Sequence, residues 1–235
     1  MNVVSVMAYK DDEMRCLGTM LRCRQRGDTS HFVSLTDGSS GVLRDPYPCR
    51  RTAAGIRRGM MTRLAREIKA TYQCLGERDA FLQDTAAVRM KLVEAICKTR
   101  ADVIFTHHHE DYNEDHITTH RLVCHGCMNA SLPLLPTRSP CFKAHPAVFC
   151  VEPHGPIPFV PTHFADICAV QVEKVRLLKR HASQEVGLQK ALGAGFDKLC
   201  GRPDAYWGEK AGCESAEAFV PMAARGAIKP FQVMP

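Results

Sequence analysis

The chain alternates between short apolar runs and stretches in which apolar residues recur at helical spacing. The run NVVSVMA at residues 2–8 stands directly before charged residues, which is typical of a buried strand in a parallel sheet. Similar runs predict four more strands, at residues 31–36, 102–106, 147–151 and 163–167. Helical spacing predicts helices between them, at residues 11–26, 60–75, 85–99, 116–129 and 170–181.

This order of elements indicates one fold class. Strands that alternate with helices predict an α/β, three-layer Rossmann-like fold, with a mainly parallel sheet and helices on both faces. We expect it to form a single domain over residues 1–235. Ligands bind such sheets beyond the carboxyl ends of the strands. The loop after the second strand, which continues through Pro46 and Pro48, is therefore a candidate rim of a substrate site.

Composition narrows the class of protein further. No stretch approaches the roughly 20 apolar residues of a membrane helix, and the start MNVVSVMAYKDDE meets charge too early for a signal peptide. We therefore expect a cytoplasmic protein with no membrane contact. The 12 cysteines are scattered along the chain, and we expect reduced thiols that mostly fill the core.

The formal net charge of +6 raises the question of a polyanionic partner. Arginines cluster at residues 22–26 and 50–58. No aromatic residues interleave with them, as a groove for single-stranded nucleic acid would require. We interpret the clusters as a solvated helix face and a basic loop, and we expect no nucleic-acid partner.

Two polar clusters directly follow predicted strands and are the candidates for chemistry. YKDDE at residues 9–13 follows the first strand, and HHHEDYNEDH at residues 107–116 follows the strand DVIFT. Both fall at the same edge of the predicted sheet. Carboxylates and imidazoles together are what a metal-assisted hydrolase needs. Each cluster alone has a simpler explanation, since acidic residues stabilise helix starts and histidine runs are often merely solvated.

The two clusters carry a family resemblance. The segment AYKDDEMRCLGTMLR resembles the A-H-P-D-D-E motif and following G-G-T of the LmbE/PIG-L deacetylases, and FTHHHEDYNEDHITTHR resembles their second motif, T-H-x-x-x-D-x-H-P-D-H. Similarity at SLTDG, PTHFADI and ESAEAFVP extends the match over nearly the whole chain. The resemblance implies a zinc-dependent deacetylase that acts on an N-acetylated amino sugar, such as an N-acetylglucosamine conjugate, and releases acetate.

The resemblance also assigns roles to residues. It implies one Zn²⁺ per chain, with Tyr9, Asp12 and His116 at the positions of the family's three ligands. Asp11 falls on the general base. Asp115 falls on a carboxylate that supports the site from behind the ligands, and Asp84 matches a position that faces the sugar.

Three residues depart from the family pattern. Tyr9 replaces a zinc-binding histidine, and a phenol with an ordinary pKa of about 10 must ionise to bind zinc well. One histidine of residues 107–109, for which we take His108, could supply the missing nitrogen. Lys10 replaces a proline. Asn113 replaces a histidine that could stabilise the tetrahedral intermediate, although its amide could still donate one hydrogen bond.

These departures leave a second function open. The ammonium of Lys10 could settle against Asp11 and Asp12 and occupy the place of the metal. The protein would then be a catalytically degenerate relative that binds a sugar or a partner without hydrolysis. We favour the active hydrolase over this alternative. The sequence is also compatible with a homo-oligomer.

Overall fold

A seven-stranded sheet runs through the protein. The computed structural model describes residues 1–41, 49–142 and 145–222, so the predicted rim at Pro46 and Pro48 lies outside the described residues. The strands are β1 (Asn2–Met7), β2 (Thr29–Thr36), β3 (Thr71–Glu77), β4 (Val103–Thr106), β5 (Ala147–Val151), β6 (His163–Asp166) and β7 (Ala216–Pro221). Their order is β3-β2-β1-β4-β5-β7-β6, and β1 to β5 pair in parallel.

Helices cover both faces of the sheet. They are α1 (Leu17–Gln25), α2 (Arg50–Glu67), α3 (Ala86–Thr99), α4 (Glu114–Asn129), α5 (Gln171–Leu178), α6 (Ala182–Leu192) and α7 (Phe196–Ala211). Side chains of β1 alternate between two cores, because successive residues of a strand point to opposite faces. Val3 and Met7 pack with α1, α2, α5 and α7, whereas Val4 and Val6 pack with α3 and α4. The predicted three-layer α/β fold is thereby confirmed.

One predicted helix was wrong in its second half. The sequence pattern extended a helix over residues 60–75, but α2 ends at Glu67 and residues 71–77 form β3. The helix stops where Lys69 adopts a left-handed backbone with φ of 53°. From Thr71 onward the chain pairs in parallel with β2, starting opposite His31. The boundary between α2 and β3 is set by the pairing of β3 with β2, which cannot be read from the spacing of apolar residues.

The C-terminal part of the chain was predicted only in outline. The helix expected at residues 170–181 ends at Leu178, and α6, α7 and β7 follow it. Strand β7 lies between β5 and β6 and is antiparallel to both. The sheet is therefore parallel in its main part and mixed at one edge. No helix in the described part of the chain combines the length and apolar character needed to cross a bilayer.

A buried ion cluster ties this C-terminal part to the rest of the fold. Lys174 on α5 is fully buried and contacts Asp204 on α7 at 2.7 Å and Glu217 on β7 at 2.8 Å. Glu217 also accepts hydrogen bonds from the backbone N–H groups of Gly18 and Thr19, at 2.9 and 2.7 Å. These groups are unsatisfied donors at the start of α1, where a negative charge also suits the helix dipole.

Candidate metal and catalytic site

A cavity of about 800 Å³ opens at the carboxyl edge of the sheet. Its polar wall is formed where three parallel strands end, because the turn after β1, the start of α4 and the segment after β5 meet there. The side chains on this wall include Tyr9, Asp11, Asp12, Asn113, His116 and His154. Leu188, Leu192 and Leu199, from α6 and α7, give the cavity an apolar side.

Three buried side chains converge beside the cavity with the donor atoms that a metal ion requires. The ligand atoms of Asp12, His107 and His116 all lie within 4.8 Å of one another. Asp12 Oδ2 is 3.2 Å from His107 Nε2 and 3.5 Å from His116 Nε2. Burial alone would raise the pKa of Asp12, but the positive charge of His116 and the contact with His107 hold it well below its usual range. Asp12 is therefore an anionic oxygen donor.

His116 is oriented for metal binding by a second carboxylate. Its Nδ1 is 3.0 Å from Asp111 Oδ2, and because a carboxylate only accepts, Nδ1 carries the proton. Although burial lowers the pKa of His116, the charges of Asp12 and Asp111 raise it overall, which favours the imidazolium. A metal ion would replace the proton on Nε2, an atom that is buried and has no hydrogen-bond partner among the described residues. A carboxylate behind an imidazole is a common support of metal-binding histidines. The unpartnered Nε2 beside Asp12 shows that these residues fit a cation.

His107 is the third member of the cluster, and it already has a partner. Its Nε2 accepts a hydrogen bond of 2.9 Å from the backbone N–H of Ala8. Its ring stacks on that of His116, with centroids 3.9 Å apart and an interplanar angle of 13°. Burial lowers the pKa of His107, which keeps the imidazole neutral. His107 can ligate a metal through Nε2 only by giving up the bond from Ala8.

Asp11 is held in an unusual conformation at the cavity wall. Its φ of 116° lies in a region that residues other than glycine rarely occupy. Glu13 stabilises this turn, because its Oε2 accepts a 2.8 Å hydrogen bond from the Asp11 N–H. The other oxygen of Glu13 contacts His181 Nε2 at 2.6 Å. The strained turn is therefore anchored to the segment between α5 and α6.

Two donors fix the Asp11 carboxylate. Arg57 Nη2 is 2.9 Å from Oδ1, and Gln184 Nε2 is 3.2 Å from Oδ2. Arg57 also donates to the Lys10 carbonyl at 2.5 Å and is only 1% exposed. Burial raises the pKa of Asp11 above its usual value despite the neighbouring Arg57. A carboxylate with a raised pKa is a better proton acceptor than an ordinary aspartate.

Tyr9 forms hydrogen bonds with the residues that begin α4. Its hydroxyl is 3.2 Å from Asn113 Oδ1 and 3.0 Å from Asp115 Oδ2. Burial raises the pKa of Tyr9 far above its ordinary value, although the hydrogen bond with Asn113 acts in the opposite direction. The phenol therefore stays protonated. Asp115 in turn accepts hydrogen bonds from the backbone N–H groups of Ala80 and Leu82, at 2.9 and 3.0 Å. It thereby fixes the loop before α3 against the site.

Lys10 and His108 lie away from the converging donors. The Lys10 ammonium donates to the Thr36 carbonyl at 2.9 Å, and the described residues show no ion pair between it and Asp11 or Asp12. His108 Nδ1 accepts from the Glu110 N–H at 3.2 Å, and its ring packs against Phe159. Its nitrogens are not part of the Asp12 cluster.

Asp84 also lies outside the described cavity wall. It is exposed and pairs with Arg89 at 2.5 Å. The carboxylate that lines the cavity from this region is Asp79, which accepts a hydrogen bond from the Ser40 N–H. A contact between Asp84 and a sugar remains a prediction from the family resemblance.

Arg57 and His154 are among the site residues that the sequence did not indicate. Arg57 was assigned to a basic loop, which was wrong because residues 50–67 form α2; its burial distinguishes it from its exposed neighbour Arg58. His154 lies three residues beyond β5, so the rule of inspecting strand ends could have found it. Burial and the nearby Arg15 lower the pKa of His154 to about 3, so its imidazole is neutral.

Sequence comparison finds one family for the chain. The family model described as PIG-L, GlcNAc-PI de-N-acetylase, matches residues 4–127, which include both polar clusters. No curated protein matches the chain.

Solved structures share the fold over nearly the full length. N,N'-diacetylchitobiose deacetylase from Pyrococcus horikoshii has a TM-score of 0.82 at 21% identity, over 98% of this chain and 87% of that chain. The conserved protein TT1542 from Thermus thermophilus has a TM-score of 0.79 at 24% identity, over 96% of both chains. GalB, the 4-carboxy-2-hydroxymuconate hydratase from Pseudomonas putida, has a TM-score of 0.82 at 18% identity, over 98% of this chain and 99% of that chain.

Proposed function

Because the chain belongs to the PIG-L family, we propose that it is a metal-dependent hydrolase that removes the acetyl group from an N-acetylated amino sugar or sugar conjugate. The observation that carries the proposal is the convergence of Asp12, His107 and His116 beside Asp11, at the edge of one cavity. The products would be acetate and a free amine.

Asp12, His107 and His116 would hold the metal ion. One carboxylate and two imidazoles form a donor set that suits Zn²⁺. His116 offers an unpartnered Nε2, whereas His107 would exchange its hydrogen bond with Ala8 for the metal. When bound, the ion would supply Lewis-acid chemistry, by polarising the acetyl carbonyl and lowering the pKa of water.

Asp11 is the general base in this proposal. Its carboxylate lines the cavity, and Arg57 and Gln184 hold its two oxygens in place. Each oxygen retains a further lone pair with which it can accept a proton. Asp11 would take a proton from the attacking water and return it to the departing amine, so that the carboxylate is regenerated after each turnover.

His154 and Asn113 are the candidate donors to the negative charge that develops on the acetyl oxygen. His154 Nδ1 lies 3.4 Å from Arg15 Nη2, and since a guanidinium only donates, Nδ1 accepts and Nε2 carries the proton. Asn113 uses its Oδ1 to accept from Tyr9 and Asp115, which leaves its amide N–H groups as donors. His154 would thus compensate for the imidazole that Asn113 lacks.

Replacing His154 by Phe is expected to lower kcat by on the order of 10²-fold, the worth of one donor to an oxyanion. KM should change far less, because the ring shape is retained and the donor acts mainly in the transition state. His154→Gln, which keeps an N–H donor, should recover part of the loss. Steady-state kinetics of acetate release measures both values.

The control for His154 is His125→Phe, which makes the same change at an exposed position of α4. It should leave kcat unchanged. Equal kcat in the His154→Phe variant and the wild type would remove His154 from the reaction. A rise in KM with an unchanged kcat would identify His154 as a substrate-binding residue instead.

The metal requirement is tested with His116→Ala. By elemental analysis, the metal content of the variant should be lower than that of the wild type by about one divalent ion per chain. The variant loses the imidazole whose unpartnered Nε2 would bind the metal. Acetate release from N-acetylglucosamine substrates should fall below detection. His125→Ala should keep both the metal and the activity.

The same measurement addresses the degenerate alternative. A wild-type protein that neither contains nor takes up metal in a His116-dependent manner, and that releases no acetate, would contradict the hydrolase and support a protein that only binds. Lys10 donates to the Thr36 carbonyl, so the ion pair of Lys10 with Asp11 and Asp12, one of the three grounds for this alternative, is not formed among the described residues. The raised pKa of Tyr9 keeps the phenol protonated. This supports the degenerate alternative only if metal binding requires Tyr9 as a ligand.

A further inference from the structure

A second group of potential metal ligands lies outside the cavity. Asp166 ends β6, Cys168 follows in a 3₁₀ turn, and Cys213 belongs to the turn before β7. Their ligand atoms all lie within 4.8 Å of one another. None of the three residues lines the cavity described above. We call this group the Asp166–Cys168–Cys213 cluster.

The backbone holds the two segments of the cluster together. Asp166 pairs with Ala216 in the antiparallel ladder of β6 and β7, and the Ile167 N–H donates to the Ser215 carbonyl at 3.0 Å. Asp166 Oδ1 accepts a 2.9 Å hydrogen bond from the Cys168 N–H. The ligand positions are therefore set by strand pairing before any metal binds.

Backbone groups of Ser215 contact both thiols of the cluster. The Ser215 N–H donates to Cys168 Sγ at 3.3 Å, a contact that stabilises negative charge on sulfur. Both thiols donate weak hydrogen bonds to the Ser215 carbonyl, at 3.6 and 3.5 Å, which metal binding would replace. Cys168 is exposed, and Cys213 is half-buried, so an ion can reach both from solvent.

Charge and distance both favour a divalent ion with affinity for sulfur. The third donor, Asp166, is an exposed aspartate and therefore an anionic carboxylate at neutral pH. Tetrahedral Zn²⁺ with bonds of about 2.3 Å to sulfur and about 2.0 Å to oxygen places its donors about 3.5–3.8 Å apart. A closure of about 1 Å suffices, which rotation of the exposed Cys168 and Asp166 side chains provides.

We propose that the Asp166–Cys168–Cys213 cluster is a second metal site, which binds Zn²⁺ through two thiolates and one carboxylate, with water as the fourth ligand. Binding releases one proton from each thiol and forms two Zn–S bonds and one Zn–O bond. The ion clamps the start of β7 to the end of β6. It is independent of the catalytic metal, which has no sulfur among its ligands.

Titration with Co²⁺ under reducing conditions tests the proposal, because thiolate bound to cobalt gives an intense near-ultraviolet charge-transfer band. The wild type should show the band and bind one ion per chain more than the double variant C168S/C213S, which should lose the band. His116→Ala should keep it, which separates this site from the proposed catalytic one. The matched control C49S/C141S, which removes two other accessible thiols, should also keep the band.

Two results would overturn the second site. One is a wild type that shows no charge-transfer band while a thiol assay finds Cys168 and Cys213 reduced. The other is a band that persists in C168S/C213S. If the two cysteines form a disulfide that resists reduction, the band is absent as well, and the pair is a covalent link instead of a metal site.

Discussion

Replacing Asp11 by Asn is expected to lower deacetylation by on the order of 10²–10⁴, the usual contribution of a general base, while the fold and the metal content stay nearly intact. An amide has nearly the shape of a carboxylate, and its oxygen can still accept from Arg57, but it cannot take up the proton. Asn also tolerates the positive φ of 116° better than most residues. Acetate release and elemental analysis together measure the outcome.

Asp197→Asn is the matched control for Asp11, since it removes one exposed carboxylate from the first turn of α7. Its activity should equal that of the wild type. Full activity in the Asp11→Asn variant would show that Asp11 is not the base. Loss of the metal from that variant would instead identify Asp11 as a ligand, with Asp12 as the residue to test next.

The largest expected effect on stability is that of Lys174→Met. The change removes the only cation that contacts Asp204 and Glu217 among the described residues, and leaves two buried carboxylates without compensation. Breaking a buried ion cluster in this way costs about 3–5 kcal/mol of unfolding free energy. Urea denaturation at neutral pH measures it.

Lys91→Met provides the comparison, because Lys91 pairs with Glu77 at the surface, where an ion pair contributes at most about 1 kcal/mol. The triple variant Lys174→Met, Asp204→Asn, Glu217→Gln should recover part of the loss, since it removes the uncompensated charges. If Lys174→Met is no less stable than Lys91→Met, the cluster does not hold α5, α7 and β7 together.

The fold alone does not determine the reaction at this site. Structures that share it include a deacetylase and a hydratase, with the same TM-score of 0.82 against this chain. A reaction must therefore be argued from the site residues. The proposed reaction depends on Asp11, Asp12 and His116, and the variants at Asp11 and His116 test it directly.

The positions of the main site residues could be predicted because they depend on local sequence. Asp11 and Asp12 come shortly after an apolar run that is typical of a buried strand, and His116 lies in the first turn of a helix that follows another such run. The carboxyl ends of parallel strands share one edge, so these residues had to meet. The family resemblance, which the match to residues 4–127 confirms, rests on the same segments.

The apolar runs and the two polar motifs were therefore enough to predict the α/β class, the sheet edge at which the candidate site lies and the polar residues found there. The tertiary structure alone decided which histidine of residues 107–109 turns toward Asp12, that Lys10 turns away from the carboxylates, and that Arg57 is buried against Asp11. It also placed His154 at the cavity and inserted β7 between β5 and β6. Local patterns report which residues are buried and with what period, whereas side-chain direction and long-range pairing depend on neighbours that are distant in sequence.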